Sequence, residues 1–288
     1  MLDPTLKRGA DTATTALSDD EKEDESAAAG DDDGSDRTLA RRLTFFVSPF
    51  GLNLRLTGLS TINGDAGFHF LNEYFAIDGC FEISMDNIMP NVFRKSSLTG
   101  DNDPSSIKTL YRSIEAGAGW NFFGRWSDNS HVSFYQLRAG YKSVKAPEFT
   151  VRTDSLPPYL GGTVYDEDNG RLTLNTSQGT VFAGLAVVRK RATRFSSKTV
   201  RLYTDFLWSP YLSYEATDND GDPYEGLTHA LMLQHAGVRL GLERTRNSRF
   251  GMRWLLETGI RPGVRSANES MASNLYLSAK IGACSSWY

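Results

Sequence analysis

The sequence predicts an all-β fold: a transmembrane, up-and-down antiparallel β-barrel of about ten strands behind a disordered acidic N-terminal tail. Three observations carry this expectation. Segments of 11 to 15 residues alternate apolar and polar positions, where a soluble strand runs to about five or six residues. In each such segment the polar face holds glycine and charges of both signs, while the apolar face is broad and has aromatic residues near an end. That is the pattern of a strand with lipid outside and a polar lumen inside. The connections alternate between short and long, as in an up-and-down membrane barrel.

The last 91 residues state the grammar most clearly. In residues 250–264 the even positions are Phe250, Met252, Trp254, Leu256, Thr258, Ile260, Pro262 and Val264, and the odd ones include Arg253, Leu255, Glu257, Gly259 and Arg261. Residues 200–214 place Val200, Leu202, Thr204, Phe206, Trp208, Pro210, Leu212 and Tyr214 outward, against Arg201, Tyr203 and Asp205. Residues 230–242 place Ala230, Met232, Gln234, Ala236, Val238, Leu240 and Leu242 outward, against His235, Gly237, Arg239 and Gly241, with Glu243 following. The final strand sets Leu275, Leu277, Ala279, Ile281 and Ala283 against Tyr276, Ser278 and Lys280.

Taken from the start, residues 1–39 form the tail and residues 40–288 the barrel. Residues 1–37 hold twelve acidic and four basic side chains, for a charge of −8, while the remainder holds 23 acidic and 27 basic, for +4. The acidity is therefore a property of the tail, whose low-complexity composition buries too little apolar surface to fold alone. No apolar signal-peptide core follows Met1. A signal removed from this numbering, or a misassigned start, would reconcile that with export.

The first strand, near residues 43–56, shows Phe46, Phe50, Leu52, Leu54 and Leu56 on one face, with Pro49 at a strand end or bulge. Asn63, Gly64 and Asp65 read as a loop, and Asn72-Glu73 as a tight turn. The next strand faces Phe75, Ile77, Phe81 and Ile83 outward, and Asp78, Cys80 and Glu82 inward. Residues 86–105 form a long polar loop. After it come a strand with Ile114, Ala116, Ala118, Trp120 and Phe122 outward, then one with Tyr135, Leu137, Ala139 and Tyr141 outward. Residues 146–172 form a second long loop, and a strand with Val181, Ala183, Leu185 and Val187 outward precedes the final four.

Residues that must face inward form an ionic set: Arg55, His69, Asp78, Glu82, Glu115, Arg138, Lys142, Arg201, Asp205, His235, Arg239, Glu243, Arg253, Glu257, Arg261 and Lys280. Ten strands enclose a narrow space, somewhat wider than the eight-stranded case that side chains just fill. Buried charges are costly unless paired, so near-equal signs predict an interlocked network that plugs the lumen. The alternative is a narrow polar pore for small ions. Cys80 and Cys284 both fall on the lumen face, on strands three apart, and are expected to stay unbridged.

On this alternation, strand count and charge placement, the chain resembles the small outer-membrane β-barrel class of Gram-negative bacteria. The resemblance covers about residues 40–288 and rests on architecture. It implies an outer-membrane location with both termini and the tail periplasmic. It also implies contacts with outer-membrane lipid and lipopolysaccharide, with the barrel-assembly machinery and with other envelope proteins. That class ends on a strand with a terminal aromatic residue. Here the apolar phase predicts Trp287 rather than Tyr288 as the outward aromatic, unless a bulge near Cys284-Ser285 shifts it.

The function expected from this reading is structural, interaction or small-solute pore work at the cell surface, without enzymatic activity. A rim-sited hydrolase, omptin-like or lipid-modifying, is the first rival, because Asp218, Asp220 and Asp222 stand close to His229. The paired acidic walls of an omptin are not matched. A soluble all-β ligand-binding barrel is the second rival, but it needs an apolar lumen and a polar outside. The run Asp218, Asp220, Asp222 also begins like a calcium loop, yet position 229 is His where a bidentate Glu belongs. No metal site and no cofactor is therefore expected. No basic-aromatic surface for nucleic acid is present either.

Overall fold

The computed structural model describes residues 43–56, 59–72, 74–90, 110–128, 131–152, 171–192, 196–217, 222–223, 231–247, 250–266 and 270–287. The acidic tail assigned to residues 1–39, most of the two long loops, Asp218, Asp220 and His229 lie outside the described residues.

Ten antiparallel strands close into one barrel. In chain order they are β1 (Leu43–Arg55), β2 (Leu59–Leu71), β3 (Phe75–Pro90), β4 (Arg112–Asp128), β5 (His131–Arg152), β6 (Arg171–Ala192) and β7 (Ser197–Thr217), then β9 (Ala236–Asn247), β10 (Gly251–Ile260) and β12 (Leu275–Trp287). Each strand pairs with its barrel neighbours in sequence, and β1 closes on β12. Two short strands, β8 (Leu231–Gln234) and β11 (Gly263–Ser266), pair with each other outside the barrel ladder. Leu43 pairs with Trp287, so the first and last strands meet at the end that carries the short turns. One of these turns is fastened by Asn72, whose Oδ1 accepts from the amides of Tyr74 and Phe75.

The outer wall is apolar around the barrel. Phe50, Ile77, Ile114, Leu137, Leu185, Leu202, Leu240, Leu256 and Ile281 are all exposed. Aromatic side chains gather toward both ends. Trp120, Phe122 and Tyr135 form a chain of tilted rings near the short turns, while Trp208 and Tyr211 stand exposed toward the long connections. Single exposed apolar side chains are ordinary on soluble proteins, whereas a continuous band is not.

Four prolines explain where the alternation read from the sequence goes out of phase. A proline has no N–H to give the ladder, so a sheet accommodates it at a bulge, an edge or a strand end. At Pro49 the register of β1 slips against both neighbours. Phe46, expected on the outer face with Phe50, is therefore turned into the lumen at 2% exposure, whereas Phe50 is 69% exposed. At Pro210 the β6–β7 register slips opposite Thr180. Leu212, expected outward, is consequently buried, and Tyr211 takes the outer face. The β5–β6 register slips just after Pro147. At Pro262 the barrel ladder stops altogether: β10 ends at Ile260 and the chain continues as β11. Val264 and Gln234, both expected outward, are buried at this junction, and Gln234 Nε2 donates to the carbonyls of Ala236 and Arg261.

One further element departs from expectation. Asn63, Gly64 and Asp65 are not a loop but the middle of β2, laddered to β1 and β3. The chain reverses instead between Arg55 and Leu59. The register of β12 runs unbroken through Cys284 and Ser285, so no bulge intervenes there.

Three lumen aromatics sit directly across the ladder from a glycine: Phe46 from Gly67, Phe182 from Gly140 and Tyr203 from Gly241. In each pair the ring occupies the space a Cβ would need. Gly184 is tighter still, because its missing Cβ would meet the Thr204 carbonyl oxygen, which is backbone and cannot swing aside. Gly184→Ala is expected to cost about 1–3 kcal/mol, the scale of overpacking. A urea midpoint unchanged from the parent protein would refute this close approach.

Candidate functional site: the lumen network

Among the described residues, one connected network of fourteen ionisable side chains crosses the lumen. Seven are carboxylates: Asp65, Asp78, Glu82, Glu115, Asp205, Glu243 and Glu257. Six are Lys or Arg: Arg138, Lys142, Arg201, Arg239, Arg253 and Lys280. The last is His69. Eight of the ten strands contribute. Strands β1 and β6 supply Ser48, Phe46 and Phe182 as uncharged partners.

The sequence builds this by spacing. On β2, β3, β5, β7, β9 and β10, two charged residues stand four apart: Asp65/His69, Asp78/Glu82, Arg138/Lys142, Arg201/Asp205, Arg239/Glu243 and Arg253/Glu257. Residues i and i+4 of a strand share a face and lie roughly 13 Å apart along it. Pairing these positions around a closed sheet gives two stacked layers of charge. The layer nearer the short turns (His69, Asp78, Arg138, Arg201, Glu243, Arg253) has an excess of cations. The other (Asp65, Glu82, Lys142, Asp205, Arg239, Glu257) has an excess of carboxylates.

Two arginines are the hubs. Arg239 grips Glu115 with both terminal nitrogens at 2.9 Å, and its Nε donates to Asp205 at 2.9 Å. Its guanidinium also lies over the Phe182 ring at 4.8 Å, a cation–π contact. Arg253 donates to Glu243 at 2.6 Å and to Asp65 at 3.0 Å, and lies 3.8 Å over Phe46. Between the hubs, Lys280 joins Asp65 to Glu82 at 3.2 and 2.8 Å. Arg201 holds Asp78 with two bonds of 3.0 Å. His69 reaches Asp78 from Nδ1 at 2.7 Å and Glu243 from Nε2 at 2.9 Å. Carboxylate oxygens only accept, so a ring that hydrogen-bonds both donates from both nitrogens, as imidazolium does. Seven positive and seven negative groups then balance.

Most of the expected lumen residues are brought together here. Three are not. Arg55 and Arg261 line a cavity toward the long connections, beyond the network, with the Arg55 guanidinium 5.8 Å over the Tyr111 ring. His235 does not join either. It sits where β8 gives way to β9, its Nδ1 donates to the Ser209 carbonyl at 2.7 Å, and its ring packs against Trp208 on the outer side. Asp65 is the member the sequence reading omitted, because Asn63-Gly64-Asp65 has turn chemistry. Its four-residue spacing to His69 repeats that of the other strands and is the signal that identifies it. Asp222, the described part of the acidic run, is exposed. Cys80 and Cys284 lie on the lumen side and are not bridged to each other.

Val132, Phe134, Ala186, Val188 and Leu255 pack together near the short turns, with Leu71 against them. Among the cavities lined by described residues are ones of about 60 Å³ within the network, 40 Å³ toward the short turns and 70 Å³ toward the long connections. Each holds a few waters at most, since one water occupies about 10–15 Å³ of such volume.

No protein-family profile matches the chain, and no curated protein sequence does. Among solved structures it is similar to the toluene transporter TodX of P. putida, at 10% identity and a TM-score of 0.30, over 83% of this chain. The chain spans 65% of the length of TodX. It is also similar to OmpT, an outer-membrane protein of Vibrio cholerae solved as a trimer, at 9% identity and a TM-score of 0.16, over 85% of this chain and 99% of that one.

Proposed function

We propose that the chain is a bacterial outer-membrane barrel whose lumen is sealed by its ionic network, and that it serves a structural or interaction role through the surface-exposed long connections. The observation that carries this is the inversion of polarity. The outer wall is apolar and the lumen holds fourteen ionisable groups, the reverse of a soluble ligand-binding barrel. In this reading the apolar wall contacts lipid, with lipopolysaccharide at the outer leaflet. The short turns, both chain termini and the acidic tail face the periplasm, and the assembly machinery inserts the chain. Other envelope proteins are the partners such a surface would engage, and no catalytic role is assigned.

A narrow solute pore is the second reading, favoured by the three cavities stacked along the lumen. Single-channel recording in planar bilayers separates the two. The sealed reading predicts insertion without steady conductance in potassium chloride. Uniform conductance steps from the unmodified protein would establish the pore instead.

A further inference from the structure

We propose that the acidic tail docks on a cationic belt carried by the outer wall of its own barrel, at the short-turn end. Strand register builds the belt. On β6, β7 and β9 the outward alternation ends in exposed cations: Arg189 and Arg191, then Lys198, then Arg244 and Arg246. Arg191 stands opposite Lys198, and Lys198 stands opposite Arg246, so three cations form one row across three strands. One step toward the middle of the wall, Arg189 and Arg244 flank Val200. Directly opposed side chains have Cβ atoms about 5 Å apart, and like charges so placed destabilise the pair. None of the five forms an ion pair among the described residues, unlike the arginines of the lumen. An anionic occupant would relieve that repulsion.

The chain carries such an occupant. Residues 19–33 hold nine acidic side chains and one basic, Lys22. They precede β1, whose first residue Leu43 lies at the end with the short turns, the same end as the belt. Round the barrel, β1 is four strands from β7, through β12, β10 and β9, which is roughly 19 Å at the usual strand spacing. Asp33 stands ten residues before Leu43, and ten residues extend to about 33–36 Å. The acids from Asp33 back to Asp19 therefore reach the row with slack. A short tether also holds a segment at an effective concentration of about millimolar, which favours the tail over a free anion.

This inference goes beyond the proposed role and holds whether the lumen is sealed or conducts. The test is carbodiimide coupling of carboxyl to amine groups in the full chain, folded in zwitterionic micelles, with linked peptides identified by mass spectrometry. Lys198 is the only amine in the belt, and coupling of Lys22 within the tail shows that the reagent acted. Lys198 is expected to be joined to acids between Asp19 and Asp33 in about 0.01 M salt. The yield should fall about fivefold or more in about 1 M salt, where screening acts within about 3 Å. It should also fall, about threefold, when Arg191→Gln and Arg246→Gln are combined, with folding checked by the unboiled gel band. Dilution should leave the link unchanged, and so should transfer to vesicles of phosphatidylcholine with phosphatidylglycerol. No link from Lys198 to the tail, in a sample where Lys22 has reacted, would overturn the proposal. So would a link indifferent to salt, or one that fades on dilution and therefore comes from a second copy. A link lost to phosphatidylglycerol would overturn it too, by assigning the belt to lipid headgroups. The salt, dilution and lipid comparisons need no variant to fold.

Discussion

Arg239→Met is expected to destabilise the barrel by about 3–5 kcal/mol, the cost of removing one partner from a buried ionic cluster. Methionine keeps most of the side-chain length, so the loss reports charge and hydrogen bonding more than an empty cavity. Arg239 supplies both bonds to Glu115 and the close contacts to Asp205. Once it is gone, Asp205, whose side chain is completely buried, keeps Arg138 at 3.4 Å as its ion-pair partner among the described residues. An uncompensated carboxylate in such a place dominates the cost, whereas an exposed ion pair is worth about 1 kcal/mol or less. A second change, Asp205→Asn in the Arg239→Met background, should therefore recover part of the loss, because it removes the orphaned charge. Urea unfolding in lipid vesicles measures both. A loss for the single variant below about 1 kcal/mol would mean that the lumen charges are solvated like surface pairs.

Leu256→Arg and Leu240→Arg are expected to cost about 2–4 kcal/mol each in a bilayer, the penalty for a cation at mid-depth on a lipid-facing wall. Both side chains are exposed, and both lie mid-strand in adjacent strands, Leu256 opposite Leu242 and Leu240 opposite Thr258. The same change at Phe250, beside a short turn and 85% exposed, should cost about 0–1 kcal/mol, because the penalty falls toward the interface. On a water-facing wall all three would be nearly neutral, since most surface substitutions stay within about 0.5 kcal/mol. Equal, small effects at Leu256, Leu240 and Phe250 would therefore reassign the apolar wall.

The strand count, the direction of most side chains and thirteen of the fourteen network members were legible in the sequence, because period-two alternation fixes which face a residue occupies. The alternation was misread where a proline reset its phase. Phe46 and Leu212 lie two or more residues from Pro49 and Pro210, and only the partner strands reveal that an extra residue has been absorbed between them. Asp65 was lost for the opposite reason: Asn-Gly-Asp is strong turn chemistry, and pairing with β1 and β3 overrides it. Which carboxylate meets which guanidinium was not legible at all. That depends on the register between strands, and alternation within one strand does not determine register. The two-layer arrangement was present in the spacing nonetheless, as the four-residue interval repeated on six strands.

The measurement that bears most directly on a closed, lipid-embedded barrel is heat-modifiability. The protein is extracted from separated membrane and soluble fractions and run on a detergent gel with and without boiling. The account predicts a compact, faster-moving band in the unboiled sample, found only in the membrane fraction and lost on boiling. A single band from the soluble fraction, unchanged by boiling, would contradict it and return the apolar wall to an explanation in water.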